Sequence, residues 1–317
     1  MVAVNTPAIV LVGPTATGKS ELAVEIAVRL GELGRLSEVV NTDSMLVYRG
    51  MDIGTAKPSV AERRGVTHHL MDVLDVNQRA TVAQFQELAR SAIADIRDRG
   101  GVPVVVGGSA LYTRAILDGF EFQASDAQVR ARWEAELDRV GPHELHRRLA
   151  EIAPDSAAKI DPGNGRRTVR ALEVNELTGG HRPSLPAWTY ELQDVHQFGL
   201  EQDRAVLDER INLRVERMWE QGLVEEVRGL LDHGLREGVT AVRAIGYRQV
   251  VDFLDGVTTE SEAKELVKKA TRRFVRKQLG WYRRDPRIHW LEAGRPGNPA
   301  EVLTRVGLLP NDGSGGE

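Results

Sequence analysis

The stretch that most constrains this chain is Gly13-Pro14-Thr15-Ala16-Thr17-Gly18-Lys19-Ser20, which satisfies G-x-x-x-x-G-K-[ST] at every fixed position. Its flanks fit the same device. Ala8-Ile9-Val10-Leu11-Val12 is an unbroken apolar run of strand length that ends at Gly13. Beyond Ser20, the residues Leu22, Ile26 and Leu30 recur every four positions with Ala23 and Ala27 beside them, which is one face of a helix. Strand, glycine turn and helix in this order aim successive backbone N–H groups at an anion, and the helix N-terminus adds roughly half a positive charge. Lys19 is placed to reach a terminal phosphate, and the Ser20 hydroxyl to hold Mg²⁺. A ligand with two or more linked phosphates is expected here.

Composition narrows the class. The chain has 317 residues, a net charge of −4 and 41% hydrophobic residues, as a soluble globular protein does. It has no cysteine, which excludes disulfides, thiolate zinc sites and cysteine catalysis and suits a reducing cytoplasm. The first strand begins too early to leave room for a leader peptide, and no apolar run approaches the ~20 residues of a membrane span. A cytoplasmic protein without a membrane partner is expected, and its tail from Pro310 reads as disordered.

Glu38-Val39-Val40-Asn41 is a short strand that delivers Thr42-Asp43-Ser44 to its carboxyl end, where ligands sit in a parallel sheet. Asp43 either faces the phosphate loop or caps the next turn. Residues 45–80 show no long periodic segment and contain Gly50, Gly54 and Lys57-Pro58, as a functional loop does. Val66–Val73 reads as a further strand; adjacent His68 and His69 would point to opposite faces of it, which argues for polar packing over a shared metal. Thr81 starts a capped helix burying Phe85, Leu88, Ala89, Ala92, Ile93 and Ile96 up to Gly100-Gly101. Val102–Val106 is the next buried strand, running into Gly107-Gly108-Ser109 and a helix with Leu111, Ala115 and Ile116 on one side. No Asp or Glu ends that strand, so the carboxylate that usually attends a nucleotide-bound metal is missing. The order of elements predicts an α/β fold, a mostly parallel sheet covered by helices, of the P-loop NTPase type.

Residues 119–195 read as helices only: Asp126–Val140, Pro142–Ile152, Pro154–Ile160 and Gly165–Thr178. They form an all-helical insertion domain between two core parts, residues 1–118 and 196–309, with 310–317 as a tail. Arg166, Arg167 and Arg170 are either solvated or suited to phosphate contacts, since i and i+4 share a face. After a return strand at His196–Leu200, a long helix starts near Asp203 with Leu207, Ile211 and Val215 as its stripe. Arg210 and Arg214 lie together beside that stripe, to clamp an anion or to pair with Asp208 and Glu209. Between Lys264 and Arg287 ten Lys or Arg stand against two acids, +8 within a chain of −4. Leu266, Ala270 and Phe274 are expected to face the core there, and Trp281-Tyr282 to close the helix. A basic face with aromatics in an otherwise acidic protein points to a polyanionic macromolecule.

Together these residues resemble the tRNA dimethylallyltransferase (tRNA isopentenyltransferase) family, in its bacterial form. The resemblance rests on the glycine loop, on Asp43-Ser44, and on Val47-Tyr48-Arg49-Gly50-Met51-Asp52-Ile53-Gly54-Thr55-Ala56-Lys57-Pro58. It continues through His68-His69-Leu70, Gly107–Tyr112, Arg170–Glu173 and Ala244–Gln249. No zinc-finger appendage of the eukaryotic kind is evident.

The resemblance implies transfer of a dimethylallyl group from dimethylallyl diphosphate to the exocyclic amine of the adenosine 3′ to the anticodon, in tRNAs reading U-initial codons. It implies Asp43 as general base, Ser109 as a hydroxyl near the bridging diphosphate oxygen where many relatives have Thr, and Lys19 with the loop residues Gly13–Ser20 on the diphosphate. Arg210 or Arg214 would assist, and Mg²⁺ on Ser20 would be the cofactor. Asp43, Ser44, Met45, Leu46, Ser109, Arg130, Arg166, Arg167, Thr168, Val169, Arg170, Arg243, Gly246 and Tyr247 are implied in contact with the tRNA anticodon stem-loop, with the insertion as a clamp and the protein a monomer. Three rival readings are an adenylate isopentenyltransferase of the cytokinin type, a P-loop small-molecule kinase and a non-catalytic nucleic-acid-binding ATPase module.

Overall fold

The computed structural model describes residues 6–120, 122, 125–180 and 187–310. Asn311–Glu317, most of the expected tail, lie outside them. The chain divides into two compact units, one of Met1–Gly119 with Trp188–Glu317 and one of Phe120–Ala187.

The first unit opens with β1 (Ala8–Val12), α1 (Lys19–Glu32), β2 (Ser37–Asn41), β3 (His68–His69), α2 (Val82–Asp98), β4 (Val102–Val106) and α3 (Ala110–Leu117). The second holds α4 (Ala127–Val140), α5 (Pro142–Ile152), the single turn α6 (Pro154–Ala157) and α7 (Gly165–Thr178). The first unit resumes with β5 (Val195–Glu201), α8 (Arg204–Glu220), α9 (Leu223–Asp232), α10 (Tyr247–Leu254), α11 (Glu260–Tyr282), β6 (His289–Glu292) and α12 (Asn298–Arg305).

All six strands form one sheet in the order β3-β2-β4-β1-β5-β6, and every pairing is parallel. A parallel sheet must be covered on both faces, and alternation along β1 shows how. Val10 and Val12 join Val40 and Val105 in the core shared with α2, α3 and α10. Ile9 and Leu11 join Val39, Val104 and Phe198 in the core under α1 and α12. The second unit has its own core, in which Leu145 and Leu149 of α5 pack against Val169 and Leu172 of α7.

Several expectations are corrected. The strand read over residues 66–73 shrinks to His68–His69, because Leu70 and Asp72 adopt left-handed backbone conformations that end the pairing. The histidines do pack as polar groups: His69 Nε2 lies 2.6 Å from Glu38, and His68 Nδ1 2.9 Å from the Val66 carbonyl. Leu88 and Leu111 are exposed, although each sits in a correctly placed helix. On α11 the core stripe is Ala263, Val267, Val275 and Tyr282, while Leu266 and Phe274 are exposed; the true stripe is one residue, about 100°, from the one expected. The all-helical block is narrower than residues 119–195, since Trp188–Val195 belong to the sheet-bearing unit and Val195 pairs with Ala8. Among the described residues no helix is long and apolar enough to cross a membrane.

Candidate active site

The glycine loop sits at the carboxyl end of β1, and its conformation explains its composition. Gly13 has φ 133°, and a Cβ there would lie 2.6 Å from the Leu200 carbonyl oxygen of β5. Gly18 caps α1 in the left-handed region, and Ala16 also has positive φ, at 66°. A left-handed alanine costs about 1 kcal/mol or more, so neighbours must hold it. They do. Ala16 packs against Leu207, Ile211 and Val275 of α8 and α11, and the Thr17 hydroxyl donates to the Pro14 carbonyl at 2.9 Å.

A cleft of about 1340 Å³ opens over this loop. Thr15, Ala16, Gly18, Lys19 and Ser20 line one part of it, and Asp43, Leu46, Gly107, Gly108, Arg214 and Gln278 line others. The sheet order makes this assembly: β1, β2 and β4 are neighbours, so the residues following each strand converge.

Lys19 is buried, and its ammonium donates to the Pro14 carbonyl at 2.5 Å. Burial lowers its pKa to about 7; the nearby Arg214 guanidinium adds to that shift, and Asp43 opposes it. Burial likewise lowers the pKa of Arg214, again with Asp43 opposing. Three groups of alternating charge thus feel one another across the cleft, with two cations to one carboxylate. An anion on the loop would lie beside Lys19 and Arg214, while other acids and bases line the rest of the cleft.

Asp43 serves both readings left open for it. It lines the cleft, and its Oδ1 accepts the Met45 amide at 2.9 Å. Its own amide donates to Asn41 Oδ1 at 2.8 Å, while Asn41 Nδ2 donates to the Asp43 and Leu70 carbonyls. The carboxylate is held at the base of a fixed turn. Ser109 follows the cleft-lining Gly108 and sits at the start of α3; its Oγ lies 3.5 Å from both the amide and the hydroxyl of Ser44.

The arginine pair separates. Arg214 lines the cleft and reaches Thr15 Oγ1 and the Thr55 carbonyl, both at 3.3 Å, whereas Arg210, one turn earlier on α8, is exposed and does not line it. Of the residues expected at RNA, Thr168, Val169 and Tyr247 have buried side chains, and Gly246 is buried too. Thr168 Oγ1 is turned to the Asn164 carbonyl. Tyr247 donates to Glu226 at 2.6 Å. For these side chains the structure shows packing roles in place of surface contacts. Arg130 and Arg170 both bind the buried Glu173, at 2.7 and 2.8 Å. Arg166, Arg167 and Arg243 are exposed.

Of the ten basic residues late in the chain, Lys264 and Lys268 pair with Glu216, Arg272 bonds Asn212, and Arg287 pairs with Asp118 and Asp285. Lys269, Arg273, Arg276, Lys277, Arg283 and Arg284 are exposed and have no ion pair among the described residues.

Sequence reasoning missed three supports of the cleft. Gln278, buried on α11, joins the glycine loop to the turn after β4. Glu226 of α9 accepts the amides of Asp52, Ile53 and Gly54. Lys57, its side chain 3% exposed, lies between Asp52 and Asp72 at 2.6 and 2.5 Å. Only Lys57 carried a signal, its place in the motif at residues 47–58.

Comparison with known proteins shows the family. The family model described as IPP transferase matches residues 46–285. The tRNA dimethylallyltransferase of Kineococcus radiotolerans is 58% identical over 96% of this chain and 97% of its own, and that of Thermobifida fusca is 56% identical over 91% and 90%. Among solved structures, the tRNA isopentenylpyrophosphate transferase of Bacillus halodurans superposes with a TM-score of 0.69 at 38% identity, covering 95% of each chain. A eukaryotic dimethylallyltransferase captured acting on tRNA gives a TM-score of 0.73 at 25% identity, covering 95% of this chain and 79% of its own. By sequence and by fold, this chain belongs to the IPP transferase family.

Proposed function

We infer that this chain is a tRNA dimethylallyltransferase, an enzyme that moves a dimethylallyl group from dimethylallyl diphosphate to tRNA. In finer detail, the acceptor is the exocyclic amine of the adenosine 3′ to the anticodon, in tRNAs reading U-initial codons. The observation that carries the reading is one cleft whose lining brings together the glycine loop, Lys19, Arg214 and the Asp43 carboxylate.

The chemistry follows from that set. The diphosphate lies on the loop amides, with Lys19 and Arg214 on its charge. As the bond between the allylic carbon and the bridging oxygen breaks, its electrons leave with the diphosphate, and these donors stabilise them without reorganising. The adenine amine forms the new bond to that carbon. It is a poor nucleophile because its lone pair is conjugated into the ring, but it becomes strongly acidic once alkylated, and Asp43 takes its proton. The base must leave the anticodon stack to reach the cleft. Ser109, bonded to Ser44 beside Asp43, supplies a hydroxyl near the departing oxygen.

Ser20 is exposed at the cleft, and among the described residues no group of three or more His, Asp or Glu could hold a metal alone. That donor set suits Mg²⁺ bound to diphosphate oxygens, water and the Ser20 hydroxyl, since Mg²⁺ keeps most of its waters. When bound, the ion supplies charge neutralisation on the leaving group.

The test is incubation with labelled dimethylallyl diphosphate and either unmodified tRNA or AMP. Label entering tRNA supports the reading. Label entering AMP alone would assign the chain to adenylate prenylation, and ATP hydrolysis without prenyl transfer would assign it to the kinases or ATPases.

A further inference from the structure

Gln278 is a buried amide on a helix whose outer face is cationic. Its side chain is spent entirely on the active-site frame. Oε1 accepts the Thr15 amide of the glycine loop at 3.1 Å, and Nε2 donates to the Gly108 carbonyl, after β4, at 2.8 Å. The approach to Gly108 is so close that a Cβ there would lie 2.3 Å from Nε2. One side chain thus spans the wall that carries Lys19 and the turn that carries Ser109. Its neighbours in sequence, Arg276 and Lys277, are exposed cations, as is Arg273 one turn earlier, and Trp281 is partly exposed one turn later.

We propose that Gln278 is a positioning residue that couples RNA docking on α11 to diphosphate binding at the glycine loop. The proposal rests on the functional reading above. Thr15 precedes Ala16, a left-handed residue of the loop, so the bond from Gln278 holds the loop next to a strained position. The Gly108 bond fixes the opposite turn relative to the same helix. RNA held on Arg273, Arg276 and Lys277 damps the motion of α11 and therefore of both walls. Diphosphate arriving afterwards has less ordering left to do and binds more tightly. By linkage, diphosphate tightens RNA by the same factor.

The experiment measures inorganic pyrophosphate affinity with and without saturating unmodified tRNA, for the wild type and for Gln278→Met, which keeps the volume and loses both bonds. Wild-type affinity is expected to rise about fivefold or more with tRNA, within the usual range for coupled sites. In Q278M the ratio falls to about one, while tRNA alone binds within about threefold of wild type and the KM for dimethylallyl diphosphate rises more than kcat falls. Gln278→Glu, which keeps the acceptor but not the donor, serves as the second variant if Q278M does not fold, and it too should lose the coupling. A ratio near one in the wild type, or an undiminished ratio in a folded variant, overturns the inference and leaves the enzymatic reading intact. Failure of the wild type to bind either ligand would instead overturn both.

Discussion

The Tyr247 hydroxyl donates to Glu226 at 2.6 Å, and the same carboxylate gathers the amides of Asp52, Ile53 and Gly54. An acidic side chain on α9 is therefore the cap of the loop that presents the Thr55 carbonyl to Arg214. Burial, with Glu226 beside it, drives the Tyr247 phenol far above its ordinary pKa, so it stays a neutral donor. The aromatic ring fits only because residue 54 is glycine; a Cβ there would lie 2.5 Å from the ring.

Tyr247→Phe should therefore act on stability before it acts on RNA. Loss of one hydrogen bond to a charged acceptor predicts a cost of about 1–3 kcal/mol in urea unfolding, with tRNA affinity within about threefold of wild type. Glu226→Ala strands three loop amides and the phenol and should be worse, lowering transfer by weakening the Arg214 anchor. A tenfold loss of tRNA affinity in Y247F without loss of stability would return Tyr247 to the RNA contacts.

Asp43→Ala tests the proton acceptor. General-base removal is expected to lower kcat by about 10²–10⁴-fold. Binding of tRNA should stay within a few fold, because Asn41 still holds the backbone of the turn through the residue 43 amide and carbonyl. Asp43→Asn sharpens the comparison, since it keeps an oxygen for the Met45 amide and loses only basicity. Single-turnover transfer at more than a tenth of the wild-type rate in D43N would rule out Asp43 as the base.

Lys19 makes diphosphate binding a proton-linked event. Its pKa stands at about 7 in the folded chain because burial disfavours the cation. A bound diphosphate favours that cation and raises the pKa again. Above pH 7 binding must then take up a proton at Lys19, and affinity should fall with rising pH by up to about tenfold per unit. Calorimetry of pyrophosphate binding at pH 8 in buffers of different ionisation enthalpy should show uptake that is absent in Lys19→Met. The stability effect has the opposite sign to that of a paired lysine. The unfolded chain, with its pKa near 10.5, binds more protons between pH 7 and 10.5, so the burden of this residue on the fold is full below pH 7 and fades as pH rises.

These sites were unequally legible in the sequence. The loop Gly13–Ser20 and the strand-end residue Asp43 could be placed because a parallel sheet brings strand carboxyl ends together, and strand patterns are local. The helices of the second unit were equally open, since Asp126 caps α4 and Pro142 and Pro154 start the next two. The phase of α11 was not. Its spacing of Leu266, Ala270 and Phe274 is as regular as the true stripe, and only packing against α8 and α10 selects between them. Gln278 was invisible for the same reason: a glutamine among arginines reads as surface until the helix is turned inward. Arg210 and Arg214 could not be separated because a four-residue repeat says that two side chains share a face, not how far along it a cleft extends.

Glu38 offers a stability test away from the cleft. Its carboxylate accepts two hydrogen bonds from Arg99, at 2.7 and 2.8 Å, and one from His69. The Arg99 bonds chiefly, with help from His69, lower its pKa to about 2 against the opposing effect of burial. A folded pKa below the unfolded one gives stability that is present above about pH 4.5 and lost as pH falls toward 2. Glu38→Gln should cost about 1–3 kcal/mol at pH 7, allowing for the partly exposed guanidinium, and the difference from wild type should narrow steadily below pH 4.5. A difference that is flat between pH 7 and 3 would show that shape, not charge, matters there.

The last prediction concerns which cations meet RNA. Charge alone does not decide it, because Arg130 and Arg170 are committed to Glu173, and Lys264, Lys268 and Arg287 to their own carboxylates. Mutating Arg170 would leave the buried Glu173 with only one of its two arginines and confuse folding with binding. Arg273, Arg276 and Lys277 carry no such structural duty. Replacing all three with Ser should leave the unfolding midpoint nearly unchanged while weakening tRNA. Each lost phosphate contact on single-stranded RNA removes about 0.7 from the slope of log K against log salt, so the triple variant should flatten it by about 2. Arg166→Ser with Arg167→Ser, on the exposed side of α7, should flatten it by about 1.4 if both meet phosphates. A triple variant of α11 that binds tRNA with the wild-type slope would reduce that helix to a solvated face, and would remove the RNA end of the link through Gln278.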